Sequence, residues 1–294
     1  MRLATIFLML LLSAPGCAQE ALVLQSDFGT KDGAVAAMRG VAVGVSDDIR
    51  IYDLTHEIPT YNIWEAALRL DQTAAYWPPG TVFVSVVDPG VGTERKSVVL
   101  KTRSGHYFVT PDNGTLTFVA KNLGIDAVRE IDEAVNRLRN SEASYTFHGR
   151  DVYAYTGARL AAGVIRFEEV GGLLPAEVLS IPYQDAAFDN GVLKGNIPIL
   201  DAQFGNVWTN IARATFMELG LDHGDVATVI IRKGADVVLD TRIPYHATFG
   251  AVAKEEPLIY LNSLNNVSLA LNQDDFARKF GIESGAQWTI EIRK

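Results

Sequence analysis

The spacing of apolar residues changes once along the chain, near residue 181. From residue 21 to residue 162, short apolar runs alternate with segments in which apolar residues recur every three or four positions. Continuous β-branched runs are typical of strands buried on both faces of a parallel sheet, and the longer period is typical of helices. We therefore predict an N-terminal α/β domain over residues 21–180 with a mostly parallel sheet.

The same pattern gives the order of the elements in this first part. Strands are predicted at 21–25, 49–54, 81–87, 97–102 and 106–110, the last two as a hairpin, and helices at 34–45, 63–76, 116–123 and 152–162. The segment 129–142 is charged.

Beyond a predicted linker at 181–187, short strands and frequent turns replace the helical period. Strands are predicted at 193–200, 226–232, 258–261 and 288–292. Short strands separated by turn residues are typical of a small barrel or sandwich. We predict a C-terminal antiparallel β-barrel domain over residues 188–294, which makes the whole chain an α/β protein of two domains.

The first residues have the composition of an export signal rather than of a folded element. Arg2 supplies one positive charge, residues 4–12 are apolar but too few to span a bilayer, and small residues fill positions 13–19. We predict a signal peptide at 1–18 and an exported protein. Cys17 is the only cysteine, so no disulfide can form within the chain. Lipid attachment at Cys17, giving a membrane-anchored lipoprotein, and cleavage after Ala18, giving a soluble periplasmic protein, both stay open.

Charge and composition narrow the range of partners. A net charge of −9 and a pI near 5.1 argue against nucleic acid or an anionic membrane as a general partner. Four tryptophans and 13 phenylalanines supply flat apolar faces against which a planar ligand such as a purine can stack.

Candidate chemistry collects where predicted strands end. Asp27 follows the first strand, where a carboxylate suits the two hydroxyls of a ribose. Asp88 follows the third strand, and Pro89, Gly90 and Gly92 after it form either an ordinary turn or a loop that approaches a ligand closely. Asp32 lies just before a predicted helix, where it either caps the helix or binds a ligand.

Two other segments combine residue types that packing alone does not require. Residues 147–151 read Phe-His-Gly-Arg-Asp, which places His148 between an aromatic residue and a glycine. The alternative is a loop ion pair between Arg150 and Asp151. In the second part of the chain, Asn206 lies close to aromatic residues, so it either reads an adenine edge or belongs to a buried aromatic turn.

Phosphate and metal motifs find no support in the sequence. There is no Gly-x-Gly-x-x-Gly run and no Walker sequence, so dinucleotide and phosphate-binding loops are not predicted. His56 and Glu57 are adjacent, but no second histidine lies at ligand spacing, and we therefore predict no metal site.

Six segments, in order, resemble the S-adenosylmethionine (SAM) hydroxide adenosyltransferase family, which comprises SAM hydrolases related to fluorinating and chlorinating enzymes. They are Ser-Asp-Phe-Gly-Thr at 26–30, Asp-Pro-Gly-Val-Gly-Thr at 88–93, Pro-Asp-Asn-Gly at 111–114, Phe-His-Gly-Arg-Asp at 147–151, Phe-Gly-Asn-Val-Trp-Thr-Asn at 204–210 and Tyr-Leu-Asn-Ser at 260–263. The resemblance extends from residue 21 to the end of the chain.

The resemblance implies an N-terminal α/β domain, a C-terminal β-barrel and a homotrimer with sites between subunits. It also implies that water displaces methionine from the 5′ carbon of SAM, which yields adenosine and L-methionine without a metal or other cofactor. Asp88, Arg95 and His148 match the family's water-activating residues. Which of Asp88 and His148 takes the proton stays open.

The resemblance also implies a set of substrate-binding residues. Asp27 matches the acid that binds the ribose, and Asp32 and Asp201 match positions near the methionine amine. The adenine pocket is matched by Phe204, Asn206, Trp208 and Phe249. A methionine contact is matched by Ser263. Tyr61 lies where the fluorinase has tryptophan.

Three departures from the halogenating relatives bear on the reaction. Those enzymes have tyrosine where this chain has Asp88, and the fluorinase has serine where this chain has Gly149. A carboxylate repels a halide, so halogenation is disfavoured. Leu264 also replaces an arginine beside Ser263 in the fluorinase. Besides a SAM-dependent halogenase, the remaining alternative is an exported nucleoside-binding protein that does no chemistry.

Overall fold

The structure, a computed structural model, describes residues 21–294. The predicted signal peptide and Cys17 lie outside the described residues. Within the described part of the chain, no helix is long and apolar enough to cross a membrane.

Sixteen strands form among residues 21–294. They are β1 (Ala21–Ser26), β2 (Arg50–Thr55), β3 (Val82–Val86), β4 (Ser97–Thr102), β5 (Tyr107–Pro111), β6 (Ile125–Glu130), β7 (Leu173–Leu174), β8 (Ala187–Asp189), β9 (Val192–Asn196), β10 (Ile199–Leu200), β11 (Val207–Ala212), β12 (Val226–Lys233), β13 (Asp236–Pro244), β14 (Pro257–Leu261), β15 (Asn266–Leu271) and β16 (Trp288–Arg293).

Seven α-helices connect these strands within the same described range. They are α1 (Ala34–Val45), α2 (Ile63–Ala74), α3 (Thr117–Leu123), α4 (Glu133–Asn136), α5 (Tyr155–Ala161), α6 (Arg213–Met217) and α7 (Phe276–Phe280). A π-helical segment, Gly149–Ala154, leads directly into α5, and 3₁₀ turns occupy Phe167–Glu169 and Phe249–Ala251.

Residues 21–174 build one seven-stranded sheet with the order β2-β1-β3-β5-β4-β6-β7. β2, β1, β3 and β5 are parallel, and β4, β6 and β7 extend the sheet in antiparallel fashion. Hydrophobic residues on the two faces of β1 separate into two cores. Leu22 and Leu24 pack with α1 and α5 on one face, and Val23 packs with α2 and α3 on the other. Helices therefore cover both faces, as parallel strands require.

Residues 187–293 form two antiparallel sheets, of order β10-β11-β15-β14 and β13-β12-β16-β9-β8. Apolar side chains of both sheets share one core, in which Trp288 is the largest fully buried residue. The predicted α/β class, with parallel pairing in the N-terminal part and antiparallel sheets later, is confirmed. Closure of the two sheets into a barrel stays a prediction, as does the division into domains at 21–180 and 188–294.

Several element predictions need correction. The predicted strand 193–200 is two strands in different sheets, since β9 pairs with β16 and β10 pairs with β11. The predicted helix at 63–76 ends at Ala74, and the charged stretch 129–142 contains the end of β6 and the helix α4. The strands β6, β7, β8, β11, β13 and β15 were not predicted from the sequence.

The two parts of the chain are joined by side chains of α2. Nε1 of Trp64 donates to the carbonyl of Pro198 across 2.7 Å, and Nη2 of Arg69 donates to the carbonyl of Leu200 across 3.1 Å. Because both carbonyls lie beside the short strand β10, the N-terminal helix layer holds one edge of the second sheet.

Candidate active site

The carboxyl ends of β1 and β3 meet at one edge of the parallel sheet. These strands are neighbours in register, with Ser26 opposite Val86, so the segments that follow them leave the sheet side by side. A cavity of about 270 Å³ opens at this edge. It is lined by Asp27, Phe28, Thr60, Tyr61, Val86, Asp88, Val91, Thr146, Phe147, His148 and Gly149. Such an edge is where ligands bind in open α/β sheets.

Asp88 and Arg95 form a nearly buried ion pair at the cavity wall. Nε of Arg95 lies 3.0 Å from both carboxylate oxygens, and Nη2 lies 2.6 Å from Oδ2. The loop between them turns back tightly, since a Cβ on Gly90 would lie 3.3 Å from Cγ of Arg95. Gly92 has a φ of +77°, a conformation that side chains rarely adopt. The glycines predicted to shape this loop therefore allow the guanidinium to reach the carboxylate.

Arg95 also contacts His148, and the contact fixes the protonation of the imidazole. Nη2 of Arg95 lies 2.8 Å from Nδ1 of His148. A guanidinium can only donate, so Nδ1 must accept and the proton of the neutral ring is on Nε2. Nε2 is buried and has no hydrogen-bond partner among residues 21–294. His148 thus offers an N–H donor at a ring that lines the cavity.

The electrostatics agree with a neutral imidazole. Burial lowers the pKa of His148 below its ordinary value, Glu133 opposes this shift, and the cations of Arg95 and Arg137 add to it. A histidine whose pKa is lowered is uncharged at neutral pH. It can then accept from Arg95 without repulsion between two cations.

A second layer of hydroxyl groups supports the ion pair from below. Nη1 of Arg95 donates to Oγ of Ser97, which lies 3.1 Å from the hydroxyl of Tyr153, and that hydroxyl lies 3.5 Å from Oδ2 of Asp88. Ser97 and Tyr153 are buried. Burial, with Asp88 beside it, raises the pKa of Tyr153 well above its usual range, so the phenol stays protonated. These four side chains form a closed ring of hydrogen bonds.

His148 and Tyr153 reach this ring because the chain winds as a π-helix between Gly149 and Ala154. Insertions of this kind in a helix are frequent at functional sites. Gly149 is closely surrounded, since a Cβ there would lie 3.0 Å from Cζ of Phe28 and from Cγ1 of Val86. The helix predicted at 152–162 therefore begins at Gly149, and its first six residues form a π-helix instead of an α-helix.

Asp27, which follows β1, lines the same cavity as Asp88. Its Oδ2 accepts from the backbone N–H of Tyr61 across 2.8 Å, which leaves the other carboxylate oxygen for a ligand. Tyr61 has a φ of +66° and a side chain that is 67% exposed. The ring of Tyr61 therefore lines the cavity and is not packed in the hydrophobic core.

The remaining predicted site residues lie elsewhere in the chain. Oδ1 of Asp32 accepts from the N–H of Ala34 across 2.9 Å, so its helix-start contact is formed. Trp208 and Ser263 line a different cavity, of about 480 Å³, between α2, α3 and the second sheet. None of the three lines the cavity of Asp88.

The four residues predicted to bind adenine lie in the C-terminal part of the chain, where Asn206 is buried and the two phenylalanines are exposed. Phe204 is 65% exposed and Phe249 is 42% exposed. Nδ2 of Asn206 donates to Oδ2 of Asp201 across 3.1 Å, which holds these two predicted residues together. The turn is tight, because a Cβ on Gly205 would fall within 1.8 Å of Oδ1 of Asp275. The structure therefore brings together Asp27, Tyr61, Asp88, Arg95 and His148, and separates them from the aromatic group.

Comparison with known proteins places this geometry in a family. The model of the SAM hydroxide adenosyltransferase N-terminal domain matches residues 22–171, and that of the C-terminal domain matches residues 195–289. Together they cover most of the chain. The protein belongs to the SAM hydroxide adenosyltransferase family.

Relatives of this family member include proteins named (R)-S-adenosyl-L-methionine hydrolase and fluorinase. A protein of Methanocaldococcus jannaschii named (R)-S-adenosyl-L-methionine hydrolase is 45% identical over 145 residues, 48% of this chain and 53% of that protein. One of the same name from Salinispora tropica is 32% identical over 261 residues, 88% of this chain and 93% of its own length. The fluorinase of Actinopolyspora mzabensis is 27% identical over 289 residues, 90% and 94% of the two chains.

The fold is likewise shared with solved structures. A crystal structure of an uncharacterized conserved protein from Thermotoga maritima superimposes with a TM-score of 0.84 at 34% identity, over 93% of this chain and all of that one. A conserved hypothetical protein from Thermus thermophilus superimposes with a TM-score of 0.71 at 27% identity.

Sequence reasoning about this family member missed three residues of the site. Ser97 and Tyr153 join the ring around Asp88, and Nδ2 of Asn113 donates to the carbonyl of Val87 across 2.9 Å, next to Asp88. The Pro-Asp-Asn-Gly turn at a strand end was a signal for Asn113. Ser97 and Tyr153 carry no such signal, since they read as ordinary strand and helix residues.

Among residues 21–294, no three His, Cys, Asp or Glu side chains are grouped so that they could hold a metal ion. His56 and Glu57, the pair considered from sequence, diverge: His56 is buried with Ser26, and Glu57 accepts from Thr30 at the surface.

Proposed function

We propose that the protein hydrolyses SAM to adenosine and L-methionine. The observation that carries this proposal is the direct contact of Asp88, Arg95 and His148 at a cavity that also holds Asp27. Relatives named (R)-S-adenosyl-L-methionine hydrolase align with most of the chain and support the assignment.

Water attacks the 5′ carbon of the ribose, and the carbon–sulfur bond breaks as methionine leaves with the bonding electron pair. The sulfonium is already a good leaving group, so no acid is needed there. Water is a poor nucleophile and needs a base. The proton passes to Asp88 and then to solvent, which gives adenosine, methionine and one proton.

The protonation of His148 assigns the base. Because Nδ1 accepts from Arg95, Nε2 carries a proton and cannot take another. His148 therefore donates to the attacking water and directs a hydrogen of that water toward Asp88. Arg95 holds the carboxylate in place through hydrogen bonds from Nε and Nη2. Holding water and carbon in line is mainly a matter of orientation, which can lower the barrier by about 7–11 kcal/mol.

Substrate binding divides between the two parts of the chain. Asp27 binds the ribose hydroxyls, and Tyr61 covers the cavity. Asp32, Asp201 and Ser263 contact the methionine part, and Phe204, Asn206, Trp208 and Phe249 form the adenine pocket. No cofactor or metal takes part in this scheme, because SAM is itself the activated reactant.

The division of the site supports a homotrimer. Phe204 and Phe249 are exposed, and an aromatic pocket needs an opposing wall to exclude water from adenine. In this proposal, the wall is the Asp88 cavity of a neighbouring subunit. Mixing inactive Asp88→Ala subunits with inactive Asn206→Ala subunits then restores activity, since some sites combine two intact halves. Mixtures that stay inactive would contradict sites shared between subunits.

The protein is exported, and it acts in the periplasm either as a soluble protein or as a lipoprotein anchored through Cys17. This part of the proposal is supported by the composition of residues 1–18. Mass spectrometry of the mature N-terminus distinguishes a lipidated Cys17 from a chain that begins after Ala18.

Incubation with SAM, followed by chromatography of the products, tests the reaction. We expect adenosine and methionine from the wild type, and strongly reduced amounts from Asp88→Ala and His148→Ala. Intact SAM alongside measurable adenosine binding would instead identify an exported nucleoside-binding protein. A product that depends on chloride or fluoride would identify a halogenase, which the Asp88 carboxylate at the cavity disfavours.

A further inference from the structure

A buried hydrogen-bond chain runs beneath the Asp27 loop, outside the Asp88 ring. Oδ1 of Asp53 lies 3.1 Å from Nε2 of His56, and Nδ1 of His56 lies 2.7 Å from Oγ of Ser26. Oγ of Ser26 in turn accepts from the backbone N–H of Phe28 across 3.3 Å. The chain therefore links β2 to the two residues that flank Asp27.

Every donor and acceptor in this chain has one role. The carboxylate of Asp53 accepts, so Nε2 of His56 carries the proton and Nδ1 accepts from the hydroxyl of Ser26. Oγ of Ser26 is then free to accept from the N–H of Phe28. Burial, followed by the charge of Arg39, lowers the pKa of His56 to about 4, while Glu57 opposes the shift. The imidazole is therefore neutral at physiological pH, as this arrangement requires.

The residue types resemble a serine hydrolase triad, but their placement excludes that chemistry. Ser26 and His56 are buried, with exposed fractions of 0% and 4%. Neither residue lines the cavity of Asp88. A nucleophile has to reach its substrate. These hydrogen bonds therefore serve to fix the backbone around Asp27.

The backbone held in this way is that of the predicted ribose acid. The chain fixes Phe28 on one side of Asp27, and the N–H of Gly29 donates to the carbonyl of His56 across 2.7 Å. The N–H of Tyr61 fixes Oδ2 of Asp27 from above. The segment from His56 to Tyr61 thus contacts both the backbone next to Asp27 and the carboxylate of Asp27.

We propose that His56 and Ser26 are positioning residues that aim the free carboxylate oxygen of Asp27 at the ribose hydroxyls of the substrate. Their effect passes through Asp27 and not through the reacting atoms. The inference rests on the proposed function only for the identity of the ligand, an adenosine-containing molecule.

Binding of adenosine, measured by calorimetry, tests this independently of turnover. We expect Ser26→Ala to weaken binding about tenfold, which corresponds to about 1.4 kcal/mol. The matched control is Ser85→Ala on the neighbouring strand β3. Ser85 is also buried, and its Oγ has no hydrogen-bond partner among residues 21–294. We expect this control to bind adenosine as the wild type does.

A double-mutant cycle separates positioning from general destabilisation. In an Asp27→Asn background, Ser26→Ala should weaken adenosine binding by less than about twofold further, because residues that act through one another are not additive. An equal tenfold loss in both backgrounds would overturn the inference, as would Ser26→Ala binding like the wild type. Absence of adenosine binding by the wild type would overturn the proposed function as well, so the two failures are distinguishable.

Substitutions of Asp53, at the partly exposed end of this hydrogen-bond chain, provide a second test. Asp53→Asn keeps an oxygen that accepts from Nε2 of His56 and loses only the partly exposed ion pair with Arg39, so adenosine binding should stay within about twofold of the wild type. Asp53→Ala removes the acceptor and frees the imidazole to rotate, and binding should weaken several-fold. In hydrolysis assays the loss should appear in KM with kcat nearly unchanged. Equal behaviour of the two Asp53 variants would contradict the proposed hydrogen-bond chain.

Discussion

Nη2 of Arg95 lies 2.8 Å from Nδ1 of His148, and the same nitrogen lies 2.6 Å from Oδ2 of Asp88. One guanidinium nitrogen therefore contacts both residues between which sequence reasoning could not choose a base. Since it donates to the imidazole, it places the ring proton on Nε2 and leaves Asp88 as the acceptor. In the proposed mechanism, His148 is therefore a donor to the attacking water.

The pH dependence of hydrolysis should follow from the neutral state of His148. Its pKa is lowered, mainly by burial, so the neutral form is complete above the ordinary value of about 6.5. We expect kcat/KM to be constant between pH 7 and 9 and to fall only below pH 6.5, as protonation breaks the contact with Arg95. An acid limb centred above pH 7 that disappears in His148→Asn would contradict the lowered pKa and the neutral imidazole.

Asp88→Asn tests the carboxylate as proton acceptor. The amide has nearly the same shape but is not basic, so kcat should fall by about 10²–10⁴-fold, the usual contribution of a general base. KM should change little, since in the proposed mechanism Asp27 binds the ribose. Asp126→Asn is the control, because Asp126 forms an exposed ion pair with Lys101. Retention of more than a tenth of wild-type kcat in Asp88→Asn would argue against this role.

Tyr153→Phe tests the hydroxyl ring beneath the ion pair. The variant removes the hydroxyl that contacts both Ser97 and Asp88. A typical buried hydrogen bond contributes about 1 kcal/mol, so we expect a melting temperature lower by a few degrees and a several-fold lower kcat. Tyr155→Phe, in the following helix, should change neither. Unchanged kcat in Tyr153→Phe would show that Arg95 alone orients Asp88.

Asn113→Asp tests the support of the Asp88 loop. Asn113 accepts from the N–H and hydroxyl of Thr115, so its Nδ2 is the group that donates to Val87. An aspartate keeps the first contacts but places an oxygen against the carbonyl of Val87. We expect kcat to fall about tenfold or more with a smaller change in KM, as misplacement by 1 Å can cost 10²-fold. Asn140→Asp, at an exposed turn, is the control.

Gly149→Ser tests the wall of the cavity and the halogenase alternative together. Its Cβ would lie 3.0 Å from Phe28 and Val86, which forces Phe28 outward and narrows the cavity. We expect slower hydrolysis and no product that depends on chloride or fluoride. Gly172→Ser is the control, because a Cβ there has no neighbour within 4 Å. Appearance of a halogenated nucleoside would reverse the preference for water.

The sequence predicted local structure where one segment decides its own conformation. The apolar run before Asp27 and the β-branched run before Asp88 predicted β1 and β3, and the Pro-Gly-x-Gly segment predicted a tight loop at the correct strand end. Periodicity failed at residues 193–200, where one apolar run supplies strands to two sheets. It also failed at Gly149–Ala154, because the pattern of apolar residues does not distinguish π from α winding.

Chemical identity came from the sequence, and chemical roles came from the tertiary structure. The motifs named Asp27, Asp88, Arg95 and His148, because residue types at strand ends are readable in order. They did not show that the guanidinium of Arg95 contacts His148, 53 positions away, nor that Tyr153 and Ser26 support the two carboxylates. Those facts depend on distances set by sheet register and helix winding. A hydrogen bond assigns a proton only once both of its atoms are placed.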